Sequence, residues 1–185
     1  MKSTDNSFLN FAYFFIFMDI NLFDDNVEQV IKKIKDKFVV ISGNDKVNRL
    51  AVSSKKVDIL LDPHLGRRMD FMHQRNSGLN QVLCKLAKEN NVAIGFGFSN
   101  ILHSKDYRGV GRIIQNIKLC RKYKIKMVVG NFAVRKEDFR KLDDVYSMFK
   151  VLGMTGKELK ESSEFLAKRL DYKAKYVSKG VSKIK

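Results

Sequence analysis

Val57-Asp58-Ile59-Leu60-Leu61, a polar stretch over 62–77, a helical pattern over 78–90, then Val92-Ala93-Ile94-Gly95-Phe96-Gly97-Phe98: the reading of this run decides the fold. Both flanking segments are apolar and β-rich, and each leads into a loop where polar side chains gather. Strand, helix and strand in that order make a βαβ unit, whose two strands must run parallel.

The neighbouring segments repeat the plan. Phe38-Val39-Val40-Ile41 is a short apolar run of the kind covered on both faces. Ser42-Gly43-Asn44 breaks it, and Asn44 is placed to cap a helix over 45–53. Further upstream, 12–20 reads as a buried strand. Asp25 and Glu28 stand at capping-box spacing, ahead of Val27, Val30, Ile31 and Ile34 at helical period. Downstream, a long helix over 107–123 carries Val110, Ile113, Ile114, Ile117 and Cys120 on one stripe, with Arg112, Gln115, Lys118 and Lys122 opposite. The helix over 78–90 is expected to bury Leu79, Val82, Leu83 and Leu86. Met127-Val128-Val129 is a strand, and 142–152 a helix with Val145, Met148, Phe149 and Leu152 inward. Thr155 and Glu158 form a capping box opening a helix to about 170.

Strands alternating with amphipathic helices predict an α/β fold, a parallel sheet with helices outside. The 185 residues suit one domain over 1–170, followed by a Lys-rich tail over 171–185. The apolar run at 11–18 is far too short to span a bilayer, and no small-x-small cleavage site follows it, so neither membrane nor export is expected. Cys84 and Cys120 sit at helical core spacings without a CxxC pattern, which fits a reducing, cytoplasmic compartment.

The formal net charge is +16. Residues 1–50 are neutral, 51–100 carry +3, 101–150 carry +8 and 151–185 carry +5. An asymmetry of this size points to a polyanionic partner, nucleic acid before membrane surface. The basic residues cluster where a parallel α/β fold binds ligands, and at one helix end. Arg67, Arg68 and Arg75 share the long loop after the 57–61 strand, and unusually long loops tend to be functional. Arg121, Lys122, Lys124 and Lys126 close a helix, where cations also complement the dipole. Arg135, Lys136, Arg140 and Lys141 follow the 127–129 strand. Exposed aromatics are few, so docking on a folded RNA is favoured over base stacking.

A metal-hydrolase reading would recruit Asp62, His64, His73 and His103. Three histidines without an HxH pair are a thin ligand set. No nucleophile arrangement stands out, and Gly95-Phe96-Gly97 lies inside a strand rather than in a phosphate loop. A general basic RNA-binding module is the other alternative.

The series 57–63, Gly78-Leu79-Asn80-Gln81-Val82-Leu83-Cys84-Lys85-Leu86-Ala87, Asn91-Val92-Ala93-Ile94-Gly95-Phe96 and Ile101-Leu102-His103-Ser104 resembles ribonuclease P protein component 3, the archaeal and eukaryotic p-thirty-type subunit family. Arg121-Lys122-Tyr123-Lys124 and Val151-Leu152-Gly153-Met154 fit the same order. The resemblance covers roughly residues 14–170 and rests on order and spacing together, not on one diagnostic motif. It implies a distorted (β/α) TIM-like barrel, here N-terminally shortened by about two βα units. It also implies a non-catalytic subunit of an endoribonuclease that matures the 5′ end of precursor tRNA, in which the RNA does the chemistry and uses magnesium. The subunit itself would hold no metal or cofactor. The implied partners are the ribonuclease P RNA, protein component 2, the other protein subunits and, indirectly, precursor tRNA. Lys122 and Arg140 match phosphate-binding positions of the family, with Arg75 near a third; another such position is the neutral Gln81. Where the family has a serine-rich turn, this chain has Gly130-Asn131-Phe132-Ala133. The expected RNA-binding set is therefore Arg67, Arg68, Arg75, Lys122, Lys124, Arg140 and Lys141.

Overall fold

A computed structural model of the chain describes residues 38–66, 69–104, 106–133, 135–178 and 181–182, with side chains through 169. The strand expected over 12–20 and the helix after it lie outside the described residues.

Four strands, β1 (Val40–Ile41), β2 (Ile59–Leu61), β3 (Ala93–Gly97) and β4 (Met127–Gly130), form one parallel sheet in the order β1-β2-β3-β4. Val40 pairs with Ile59, Leu60 with Ile94, and Gly95 with Val128. Between them run α1 (Asp45–Ser53), α2 (Gln81–Glu89), the short α3 (Phe98–His103) and α4 (Arg108–Tyr123). After β4 come a single 3-10 turn (Lys136–Asp138), α5 (Leu142–Val151) and α6 (Gly156–Lys175), then an antiparallel pair, β5 (Tyr176–Ser178) and β6 (Val181–Ser182). The expected α/β class, parallel strands with surrounding helices, is what the chain adopts. Helix α6 runs on past the expected 170 to Lys175.

Period-two alternation divides the strand residues between two faces. Ile41, Leu60, Ile94, Phe96 and Val129 join the larger core with α1, α2, α4 and α5. The rings of Phe96 and Phe149 meet there at 6.2 Å, tilted. Val40, Ile59, Leu61, Ala93 and Val128 line the other face, which Leu166 of α6 covers together with partly buried Phe165. The central strand offers that second face only Ala93, Gly95 and Gly97. A Cβ on Gly95 would lie 2.7 Å from Ile59 Cγ2, so the bulk of β2 fills space β3 leaves open.

The caps are as the spacing predicts. Asn44 Oδ1 accepts the N–H groups of Lys46 and Val47, both at 3.1 Å. Thr155 Oγ1 accepts the Glu158 N–H (3.2 Å), and Glu158 Oε2 accepts the Thr155 N–H (2.7 Å). Helix α2 starts later than expected because Asn80 Oδ1 caps it by accepting the Leu83 N–H at 2.9 Å. That start turns Leu83, Cys84 and Ala87 inward. Val82, expected inside, is exposed. Arg112, expected on the solvent side of α4, is buried, so the inward stripe of that helix is polar at Arg112 and Asn116.

Candidate nucleic-acid interface

The C-terminal strand ends carry a buried polar network. Asp62 follows β2 with φ +46°, a left-handed conformation that Asp tolerates better than most residues. Its Oδ1 accepts the Gly97 N–H at 2.9 Å and its Oδ2 accepts from the Asn100 amide. Gly97 permits this approach, because a Cβ there would sit 2.7 Å from Asp62 Oδ2. Burial pushes the Asp62 carboxyl up to about 7, against the opposing pull of the Gly97 N–H and Asn100. Alongside, Asp138 accepts from Ser99 Oγ (3.3 Å) and meets His103 Nε2 at 2.7 Å.

This network bears on the metal reading. Asp62 is bonded to Gly97 and Asn100, His103 to Asp138, His64 is buried, and His73 lies out on the exposed loop. Among the described residues no three His, Cys, Asp or Glu side chains come together as a metal-holding group. The two cysteines are free and buried, and burial pushes the Cys84 thiol up to about 11, far from a reactive thiolate.

The long loop after β2 is strapped to α4. Arg112 Nε donates to Asp70 Oδ1 at 2.7 Å, and Arg112 Nη1 lies 3.6 Å from Asp106. The Asn76 N–H donates to the same Asp70 oxygen at 2.9 Å. Partial burial raises the Asp70 pKa, but the Arg112 bond, the Asn76 N–H and the charges of Arg112 and Arg75 together hold it below the usual carboxylate range. Gln115 brackets the Arg75 main chain: its Oε1 accepts the Arg75 N–H (3.2 Å) and its Nε2 donates to the Arg75 carbonyl (3.0 Å). Asn116 Nδ2 donates to the Ser77 carbonyl at 2.8 Å. Arg75 is thereby anchored through its backbone while its side chain stays 49% exposed.

Arg140 is anchored in the same manner. Asn131 Oδ1 accepts the Arg140 N–H and Asn131 Nδ2 donates to the Arg140 carbonyl, both at 2.9 Å. The guanidinium Nη1 donates to the carbonyls of Glu137 (2.7 Å) and Phe139 (2.9 Å). Lys141 follows at the exposed N-cap of α5. The departure at 130–133 thus supplies the side chain that holds Arg140.

Lys122 and Lys124 are exposed at the far end of α4. Lys124 takes the left-handed C-cap conformation with φ +56°, and Lys122 Nζ lies 5.7 Å from the Tyr123 ring centroid. Their neighbour Arg121 is engaged elsewhere. It donates twice to Glu158 at 2.8 Å and to the Gly153 carbonyl at 2.7 Å, joining α4 to the start of α6.

The expected basic set is therefore split. Arg75, Arg140 and Lys141 belong to the end of the fold where the strands finish. Lys122 and Lys124 belong to the opposite end, about 15 Å away along α4 at 1.5 Å rise per residue. Arg67 and Arg68 lie outside the described residues. Gln81, the neutral replacement, is exposed on the first turn of α2. Sequence reading did not join Ser99 and Asn100, at the end of the 92–98 strand, with Asp138 as parts of one polar network. The signal available was position, since polar residues at the strand ends of a parallel sheet face one another.

Against this geometry the comparisons with known proteins are direct. The family model described as RNase P subunit p30 matches residues 20–175. The chain belongs to the RNase P subunit p30 family. Ribonuclease P protein component 3 of Methanosarcina acetivorans is 31% identical over 181 residues, a match covering 91% of this chain and 72% of that protein. The component 3 protein of Methanosarcina barkeri is also 31% identical, over 85% of this chain and 66% of its own length. A chain in a cryo-EM structure of archaeal ribonuclease P with mature tRNA superposes with a TM-score of 0.72 at 24% identity, covering all of this chain and 85% of that one. This likeness shares the fold, and no helix among the described residues is long and apolar enough to cross a membrane.

Proposed function

We propose that this chain is the component 3 subunit of a ribonuclease P particle, and that it braces the catalytic RNA with its basic ends while contributing no catalytic residue. In this reading the RNA cleaves precursor tRNA at the 5′ end with its own magnesium. Protein component 2 and the remaining protein subunits are the partners, and the compartment is the cytoplasm. The observation that carries the reading is the paired anchoring of Arg75 and Arg140, each gripped by a side-chain amide on both main-chain groups. Main-chain anchoring fixes where a cation stands without neutralising it. Lys141 extends this end of the footprint, and Lys122 and Lys124 form a second contact at the other end; Arg67 and Arg68 complete the proposed RNA-binding set. Two cationic ends suit a folded RNA that presents phosphates on more than one helix, and each contact releases counterions.

The test is reconstitution. Ribonuclease P RNA and component 2 are mixed with and without this chain, and precursor tRNA cleavage is followed at low magnesium. Stimulation is expected. A chain that leaves cleavage unchanged, and binds bulk RNA as tightly as the folded catalytic RNA at physiological salt, would be a general basic module instead.

A further inference from the structure

We propose that Gly111 is a positioning residue for RNA recognition, its missing side chain being the seat on which the Arg75 guanidinium is held. The inference rests on the placement of Arg75 in the RNA footprint argued above. A Cβ built on Gly111 would lie 2.5 Å from Arg75 Cζ, 2.6 Å from Nε and 2.8 Å from Nη1. These three atoms belong to the guanidinium group, so it lies directly over the helix backbone at this point. No side chain other than glycine permits that approach.

The other close glycines behave differently. Gly43 makes room for the Val47 side chain and Gly95 for Ile59, both apolar core packing, and Gly97 for the buried Asp62 carboxyl. At Gly109, in the same helix, a Cβ would meet only Ser104 Oγ, at 3.3 Å. Gly111 alone of these is pressed against a half-exposed cation. Its cost is known in kind: a glycine inside a helix is less favourable than alanine there. Helix α4 would be better built without it, so the reason for it lies in what rests on it.

Helix α4 acts as a template for the loop. Gly111 and Gln115 are one turn apart on the same face. Gln115 holds the Arg75 main chain while Gly111 admits its guanidinium, and between them Arg112 holds Asp70. Asp70 Oδ2 reaches Arg75 Nη1 at 3.4 Å, a long contact that orients the group and uses one of its five N–H donors. An arginine has many rotamers, and freedom surrendered before binding need not be lost on binding. The seat therefore converts a mobile charge into a preset phosphate ligand.

The test uses the full 185-residue chain with ribonuclease P RNA, as wild type, Gly111→Ala, Arg75→Ala and the double variant. RNA affinity is titrated over a range of salt, and thermal unfolding is recorded for each protein. Gly111→Ala should hold its melting midpoint or gain about 2–4 °C, as a glycine replaced inside a helix does. It should nonetheless bind RNA about three- to tenfold more weakly, with a salt slope reduced by up to about one contact. The double variant should bind like Arg75→Ala alone. Gly111→Ala that binds like wild type overturns the proposal. So do losses that multiply in the double variant, or a melting midpoint that falls with the affinity. Wild-type binding that is insensitive to Arg75→Ala overturns it by removing Arg75 from the footprint. A wild type that shows no preference for the folded RNA overturns the functional reading and this proposal together, and is distinguished by failing in the wild-type arm.

Discussion

Asp58 and Asp62 flank strand β2, and both are completely buried. Asp58, at the end where the strands begin, meets a guanidinium: Arg169 Nε of α6 donates to Oδ1 at 2.7 Å while the Val39 N–H donates to Oδ2 at 2.8 Å. Asp62, at the end where the strands finish, bonds to the Gly97 N–H and the Asn100 amide, neutral dipoles without a formal charge. One end of the strand thus compensates a buried charge, and the other favours the neutral form of the acid. The difference teaches which end is built for holding the fold. The Arg169 link joins the last helix to the sheet, whereas the Asp62 end shapes the loops that present Arg75 and Arg140.

The two ends should respond to the same substitution with opposite signs. Arg169→Ala removes the guanidinium bonded to buried Asp58 and should cost about 3–5 kcal/mol in urea unfolding; Asp58→Asn should cost about 3 kcal/mol. Equal stability of either variant to wild type would erase the distinction.

Asp62→Asn should instead stabilise the protein by about 2 kcal/mol at pH 8, since the amide carries no charge, its oxygen still accepts the Gly97 N–H, the Asn100 amide can turn its oxygen to the new NH2, and Asn accepts the left-handed backbone well. The sign follows from linkage. The folded carboxyl titrates at about 7 against an ordinary 3.8, so the native state binds more protons than the unfolded state between those values. Its contribution is full below about pH 4, declines as pH rises and is gone above about 7. Denaturation curves from pH 4 to 8 should show that decline in wild type and lose it in the variant.

Glu158 offers a third, weaker contrast. The Arg121 hydrogen bonds, with the Thr155 cap, draw its carboxyl down to about 2 from 4.5. The stability it contributes is complete above about pH 4.5 and lost as pH falls through 2. Arg121 is partly solvated, so Glu158→Gln should cost only about 0.5–1 kcal/mol at pH 7, read by thermal unfolding at pH 7 and pH 2.

The smallest effect on the fold comes from the cations themselves. Lys122→Ala with Arg140→Ala should change stability by less than about 0.5 kcal/mol, yet weaken RNA binding and reduce the salt slope by about two contacts. Unchanged RNA affinity would remove both positions from the footprint.

Much of this was legible in the sequence because its causes are local. Asn44 and the Thr155–Glu158 pair could be read as caps, since a cap needs only residues a turn apart. The apolar runs gave the strands, and alternation with helices gave the parallel sheet. Periodicity misled at Val82 and Arg112, for two different reasons. The Asn80 cap fixes which face of α2 turns inward. Arg112 meets Asp70 and Asp106 from the segments that precede α4, so a charged residue occupies the inward stripe of that helix. The Asp58–Arg169 link spans 111 positions, and nothing in either neighbourhood announces the other. The basic residues were found as a set, but their division between two ends of the fold follows only once the direction of α4 is known.

Helix α6 has one more consequence, for synthesis. Residues 40–151 bring together the sheet and most of the helices on its larger core, but the second face waits for Phe165 and Leu166 of α6. While the chain emerges from the ribosome, Val40, Ile59, Leu61, Ala93 and Val128 lack their α6 partners until that helix clears the exit tunnel. Closing so distant a contact is the slow step expected of long-range topology, and this incompletely packed face is the surface on which a stalled or shortened chain would aggregate.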